Sequence, residues 1–216
     1  MKNVVLIGAS GFVGTAILNE LLNRGHKVTA IVRDAKKMTV SNPNLTIVEA
    51  DVTDTDALKE AGKGKDAVIS AYNPGWKNPH IYEDTLKNYP LIVESAKQAG
   101  VKRLLIVGGA GTLFYAPGKM VMDADDVPAQ LLPGIKSLGE FYLNTLRKEK
   151  DIDWICLSPA ANMTPGQRTA KFRIGKDDLV VDANGDSNIS VEDFAVAMVD
   201  ELEQEKHHKE RFTIGY

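Results

Sequence analysis

The stretch Val4-Val5-Leu6-Ile7-Gly8-Ala9-Ser10-Gly11-Phe12-Val13-Gly14 decides how the chain is read. Four apolar residues in unbroken succession read as a strand buried on both faces, as in a parallel sheet. Glycines follow at i, i+3 and i+6, and Thr15 to Arg24 then carries the amphipathic pattern of a helix. A strand, a glycine-rich turn and a helix in that order form a crevice suited to a pyrophosphate. Glycine lets the backbone approach closely, and the first helical turn offers free N–H groups at the positive end of its dipole. The spacing GxxGxxG therefore predicts a dinucleotide site, with Gly8, Ser10, Gly11, Phe12, Val13 and Gly14 around the pyrophosphate. Glycine spacing alone is a weak signal; its placement between strand and helix carries the inference.

Outward from this unit, apolar runs and helical patterns alternate. Strands are predicted at Lys27–Val32, Leu45–Val48, Asp66–Ile69, Arg103–Val107 and Asp153–Leu157, with a helix capped by Thr53-Asp54-Thr55-Asp56 running through Ala61. A long helical pattern from about Ile81 to Ala99 contains Pro90, which predicts a bend or a fresh turn there. Another helix is expected over Ile135–Glu149, and a last one over Val191–Gln204 with Ser190 as its N-cap and Asp193 completing an approximate capping box. Short β segments are expected at Leu179–Val181 and Phe212–Ile214. The alternation predicts an α/β fold: a Rossmann-type doubly wound parallel sheet with helices on both faces, residues 1–216 forming one NAD(P)-binding domain. Residues 158–216 would form a short substrate-side region, too small for a large second domain, so the substrate pocket is expected to be small and shallow.

Bulk properties exclude several classes. The 216 residues carry a net charge of −3 with 25% charged residues, which gives no basic surface for nucleic acid or an anionic membrane. The single cysteine, Cys156, allows no internal disulfide and no cysteine-rich metal site; in its apolar run it reads as a buried thiol. No apolar run approaches the ~18 residues of a membrane span, and no signal-peptide pattern precedes the first strand. The expectation is a cytoplasmic protein acting on a small molecule, monomer or homodimer, with no metal, no nucleic acid and no membrane partner.

The second predicted strand ends Val32-Arg33-Asp34, where an adenosine ribose would lie. The planar fork of Arg33 suits a 2′-phosphate and favours NADP(H). Asp34, about 20 residues beyond the glycines, keeps NAD(H) possible. Asp51 and Val52 after the third strand are placed at the adenine, and Ser70-Ala71 after the fourth at the ribose and pyrophosphate. Gly108 and Gly109 leave room for the nicotinamide; Ser158-Pro159-Ala160 would flank its carboxamide.

Taken together, GASGFVG, Arg33, Asp51-Val52, Ser70-Ala71 and Gly108-Gly109-Ala110-Gly111 resemble an atypical short-chain dehydrogenase/reductase of the NAD(P)H-binding, epimerase/dehydratase-like group. The closer resemblance is to small members similar to the biliverdin/flavin reductases and the NmrA-like regulators. Leu157-Ser-Pro-Ala160, Pro165-Gly-Gln-Arg168 and Ile189-Ser-Val-Glu-Asp-Phe-Ala195 extend it over almost the whole chain. Most short-chain dehydrogenases use Tyr-x-x-x-Lys on the helix after the fifth strand. Here Leu132-Pro-Gly-Ile-Lys136 has leucine where the tyrosine would stand, and the textual match Tyr115-Ala-Pro-Gly-Lys119 contains Pro117 and Gly118, which forbid the required helical turn.

Thr112, as a hydrogen-bond donor to a substrate carbonyl, and Lys136, touching the ribose, are therefore the catalytic candidates. Asn162 is a further polar candidate, Tyr72, Tyr115 and Trp76 are aromatic candidates for the substrate wall, and His80 lies near the expected mouth. His207 and His208 read as surface residues. The resemblance implies an NADP(H)-dependent reductase of a conjugated acceptor such as a flavin or quinone, or else a non-catalytic NAD(P)-binding regulator. An epimerase or dehydratase is a third reading, disfavoured by the missing tyrosine.

Overall fold

The computed structural model describes residues 1–216. In chain order its elements are β1 (Asn3–Ile7), α1 (Phe12–Asn23), β2 (Lys27–Val32), β3 (Leu45–Glu49), α2 (Thr55–Gly62), β4 (Ala67–Ser70), α3 (Ile81–Gln98) and β5 (Arg103–Val107). There follow β6 (Phe114–Ala116), β7 (Lys119–Met120), α4 (Leu132–Asn144), β8 (Asp153–Ser158), β9 (Asn162–Thr164), β10 (Arg173–Gly175), β11 (Asn188–Ser190), α5 (Val191–Gln204) and β12 (Glu210–Gly215).

The main sheet runs β3-β2-β1-β4-β5-β8-β12-β10. Every neighbour is parallel except β10, which lies antiparallel to β12. Strand order reverses at β1, whose Ile7 is in register with Ile31 of β2 on one side and Ser70 of β4 on the other. A crevice opens at the carboxyl ends of strands where such a reversal occurs. The apolar run of β1 serves two cores because successive side chains alternate across a strand. Val4 and Leu6 pack with Ile17, Leu18 and Leu21 of α1 and Phe194 and Met198 of α5; Val5 and Ile7 pack with Ile92 and Val93 of α3 and Phe141 of α4. The expected doubly wound α/β architecture is thus present. No helix is long and apolar enough to cross a membrane.

Three local expectations need correction. No fresh turn begins at Pro90, since α3 continues through it as one helix; Pro90 forfeits a single N–H bond, and buried Tyr89, Ile92, Val93 and Ala96 hold the helix on the sheet regardless. Leu179–Val181 is not a strand: the Val180 side chain packs over Gly175 and Gly215, above the face of the β10–β12 pair, and the pairing goes to Arg173–Gly175 instead. The helix expected to end at Glu149 stops at Asn144, and a separate 3-10 turn covers Leu146–Lys148. The small pairs β6–β7 and β9–β11 went unforeseen, being strands of two or three residues with no period to read.

Candidate cofactor and substrate site

Gly8 ends β1 with a φ of +80°, the left-handed region that glycine enters freely, and a Cβ there would sit 2.7 Å from the Ala71 carbonyl oxygen. Gly14 is tighter: a Cβ would lie 2.0 Å from the Gly8 carbonyl oxygen. Its absence lets α1 start directly against the end of β1. Gly11 is the N-cap residue, no side chain caps the helix, and its first turn holds no acidic residue. The first backbone bond of the helix runs from the Thr15 N–H to the Gly11 carbonyl, which leaves the N–H groups of Phe12, Val13 and Gly14 unpaired. An anion placed here meets the free donors of Phe12 and Val13, which line the cavity, and the positive dipole end, so the residues present fit a dinucleotide pyrophosphate.

From this cradle a cavity of about 680 Å³ extends along the carboxyl ends of the strands. This volume lies within the range of a well-formed ligand site and takes in the cofactor groove as well as the substrate end. α4 and the β4–α3 loop wall the far end. One end holds Arg33, Asp34, Lys37 and Val52; the middle holds Gly8, Ser10, Gly11, Phe12, Val13 and Ala71; the other holds Gly108, Gly109, Thr112, Pro159 and Ala160.

Arg33 and Lys37 are exposed and make no ion pair with the protein's own carboxylates. Asp34 is turned to local work, accepting the Lys36 N–H at 3.0 Å. Asp51 does not line the cavity. Its carboxylate accepts the Thr53 N–H at 2.9 Å and the Thr53 hydroxyl at 2.7 Å. Partial burial opposes ionisation, yet those two hydrogen bonds and nearby Arg33 hold it below the usual carboxylate range. Ser70 and Gly14 also stand behind the wall, Ser70 fully buried with its hydroxyl accepting the Tyr72 N–H at 3.4 Å.

The far end is apolar and aromatic. Gly134, Ile135, Leu138, Gly139, Phe141 and Tyr142 of α4 face the cavity, the one-sided stripe that helical periodicity produces. Lys136 falls off that stripe: it is exposed and does not line the cavity, so the ribose contact expected of it has no support in the geometry. Tyr72 and Trp76 do line the cavity, and Trp76, 53% exposed, leans over Gly134 at the mouth. Tyr115 and Lys119 lie on the β6–β7 hairpin, and neither lines the cavity; nor do His80 and Asn162.

His207 and His208 belong to an ion network at the opposite end of the sheet, paired with Glu201 and Asp153 around buried Arg103. Cys156 is buried yet forms part of the cavity floor, and burial pushes its thiol up to about 12 against the opposing influence of Arg211 and Ser158. Burial likewise raises the phenols of Tyr72 and Tyr142.

Thr112, in the 3-10 turn after β5, is 4% exposed and lines the cavity. Its hydroxyl accepts a 2.6 Å hydrogen bond from Arg211 Nη1. The α4 stripe could have been found from Ile135, Leu138 and Tyr142 at i, i+3 and i+7. Arg211, 99 residues away in sequence from Thr112, left no local signal.

Residues 8–205 match the model of a family described as NAD(P)H-binding. The chain is 42% identical over 212 residues to the uncharacterised protein YwnB of Bacillus subtilis, covering 97% of this chain and 96% of that protein. A crystal structure of a candidate epimerase from Bacteroides thetaiotaomicron superposes with a TM-score of 0.95 at 59% identity, covering 100% and 97% of the two chains. A candidate NADH-flavin reductase from Streptococcus pneumoniae superposes at 0.83 with 32% identity, covering 100% and 99%. Cinnamoyl-CoA reductase 1 of Arabidopsis thaliana is 28% identical over 190 residues, but the chain spans only 54% of its length. These relatives agree with the resemblance to atypical short-chain dehydrogenases.

Proposed function

We propose that this chain, which belongs to the NAD(P)H-binding family, is an NADPH-dependent reductase of a small, flat, conjugated acceptor. One observation carries the reading: a single cavity joins an uncapped, glycine-built helix start to an aromatic chamber lined by Thr112, whose hydroxyl accepts from Arg211 and donates to no protein group. The relative described as a candidate NADH-flavin reductase supports the same class of acceptor.

The roles follow from position. The free N–H groups of Phe12 and Val13 hold the pyrophosphate, and Arg33 with Lys37 receives the 2′-phosphate that distinguishes NADPH from NADH. Bound there, the reduced nicotinamide supplies the hydride. Tyr72, Trp76, Leu138 and Tyr142 hold the acceptor flat and exclude water, and Thr112 donates a hydrogen bond to its oxygen. No group in the chamber is tuned to exchange a proton near neutral pH, since Cys156, Tyr72 and Tyr142 are all pushed upward. An acceptor that takes its proton from water suits such a chamber, whereas sugar epimerisation needs a resident acid and base.

The test is NADPH consumption with a panel of quinones, flavins, simple aldehydes and, separately, nucleotide sugars with NAD⁺. Turnover of quinones or flavins well above background is the expected result. Epimerised sugar would overturn the reading in favour of the activity named for the Bacteroides relative. Tight NADPH binding with no turnover of any acceptor would leave a regulator that senses the cofactor.

A further inference from the structure

Arg211 lies on β12 behind the cavity wall, 5% exposed. Its Nη1 donates to the Thr112 hydroxyl at 2.6 Å and to the Thr112 carbonyl at 3.1 Å. Nη2 donates to Asp177, the guanidinium carbon sits 4.8 Å from the Tyr142 ring centroid, and the buried Nε–H finds no acceptor. A buried cation with an orphaned donor is a poor device for stability alone. What it does achieve is local: with Arg211 donating to the Thr112 oxygen, that hydroxyl keeps its own proton for donation, and no protein group takes it. The carboxylate that balances Arg211 is 47% exposed and screened by water, whereas the guanidinium is not. Positive potential therefore persists on the Thr112 side.

We propose that Arg211 is a positioning residue that makes Thr112 a charge-backed hydrogen-bond donor for an acceptor oxygen that turns anionic. The inference rests on the reductase reading and narrows its substrate class. The favoured acceptors are conjugated carbonyl compounds whose reduced form is a resonance-stabilised anion, such as quinones and flavin-like rings, and not simple aldehydes. In the step, hydride brings two electrons to the conjugated system of the acceptor, a π pair shifts onto the carbonyl oxygen, and water supplies the proton that completes the product. Thr112 keeps its proton throughout, and Arg211 does not touch the acceptor.

The experiment first titrates NADPH against the protein by fluorescence; absence of binding would sink the reductase reading and this inference with it. Next, 4-nitrophenol is added to the NADP⁺-saturated protein, and the ionisation of the bound phenol is read by its visible absorbance. Its pKa should fall by about one unit in the wild type, a tenfold preference for the anion. Thr112→Val and Arg211→Met should abolish that shift, Arg211→Lys should restore part of it, and Asp177→Asn should enlarge it, all with NADPH affinity unchanged. Quinone turnover should follow the same order, with kcat at least tenfold lower in Arg211→Met. An unshifted phenol in the wild type overturns the inference, as does a shift that Arg211→Met leaves intact. Should Arg211→Met fail to fold, Asp177→Asn decides alone: it alters a half-exposed side chain, and no response there also overturns the inference.

Discussion

The pyrophosphate cradle and the acceptor end of the cavity are built by opposite means. At the β1–α1 cradle the binding groups are backbone, made available by side chains that are missing: Gly8, Gly11 and Gly14. At the β5–α4 end they are side chains brought together from distant parts of the chain, with Thr112, Tyr142 and Arg211 meeting only once β12 is laid beside β8. The first end is defined by a local sequence and fixed in geometry. The second depends on tertiary assembly and can vary among relatives that share the first. That contrast explains why the cofactor family is plain in this chain while the acceptor must be argued from chemistry.

The sharpest way to break the comparison is Gly14→Ala. Its methyl would arrive 2.0 Å from the Gly8 carbonyl oxygen, a Cβ against backbone with no flexible side chain to yield, so α1 must move off β1. We expect NADPH binding to be lost and Tm to drop by roughly 5–10 °C, the cost of overpacking at an inflexible contact. Retained affinity in calorimetry would show that the cradle is not held by backbone contact.

Next in size is Arg33→Ala. A charge-assisted bond to a phosphate contributes about 1.5–3 kcal/mol, so NADPH should bind about 10–100-fold more weakly, while NADH changes little. Equal weakening of both cofactors would remove the 2′-phosphate role and return Arg33 and Lys37 to a solvated turn.

How far each end was legible follows the same physics. The alternation of apolar runs placed β1, β2, β4, β5 and β8 and, with the glycines, the crevice. A carboxylate after a strand serves equally to hold an adenine or to tie the next turn, and Asp51 here binds Thr53. At the acceptor end Thr112 was visible because it closely follows a strand. Lys136 stands where a family motif places a lysine, but its neighbours Ile135 and Leu138 carry the helical stripe that faces the cavity. Arg211 could not be read at all, since its partner is set by strand order.

A third prediction concerns the joint between the two halves. Glu20 of α1 accepts a bidentate pair from Arg168 at 2.7 Å and a 2.6 Å bond from Arg24, tying the loop after β9 to the cofactor helix. Those bonds, Arg168 foremost, hold the Glu20 carboxyl below its ordinary 4.5 although burial opposes them. A carboxyl lowered on folding adds stability above its unfolded pKa and loses it as pH falls through the folded one. Glu20→Gln should therefore reduce Tm by a few degrees at pH 7, with the gap to wild type closing below about pH 4. A gap that persists into acid would mean that Glu20 acts through packing and not through charge.

The smallest effect is expected from Tyr115→Phe, and it tests the comparison from the opposite side. If the acceptor end depended on a local motif, as the cofactor end does, Tyr115-Ala-Pro-Gly-Lys119 would be the motif. The structure places Tyr115 on a hairpin, 48% exposed, and neither it nor Lys119 lines the cavity. Removing its hydroxyl should leave kcat and KM for the acceptor within about twofold, because an exposed hydroxyl away from the chamber has no proton to exchange there. A loss on the order of the 10²–10⁴-fold typical of an acid/base residue would require the hairpin to fold over the chamber during turnover. The acceptor end would then have a sequence motif of its own.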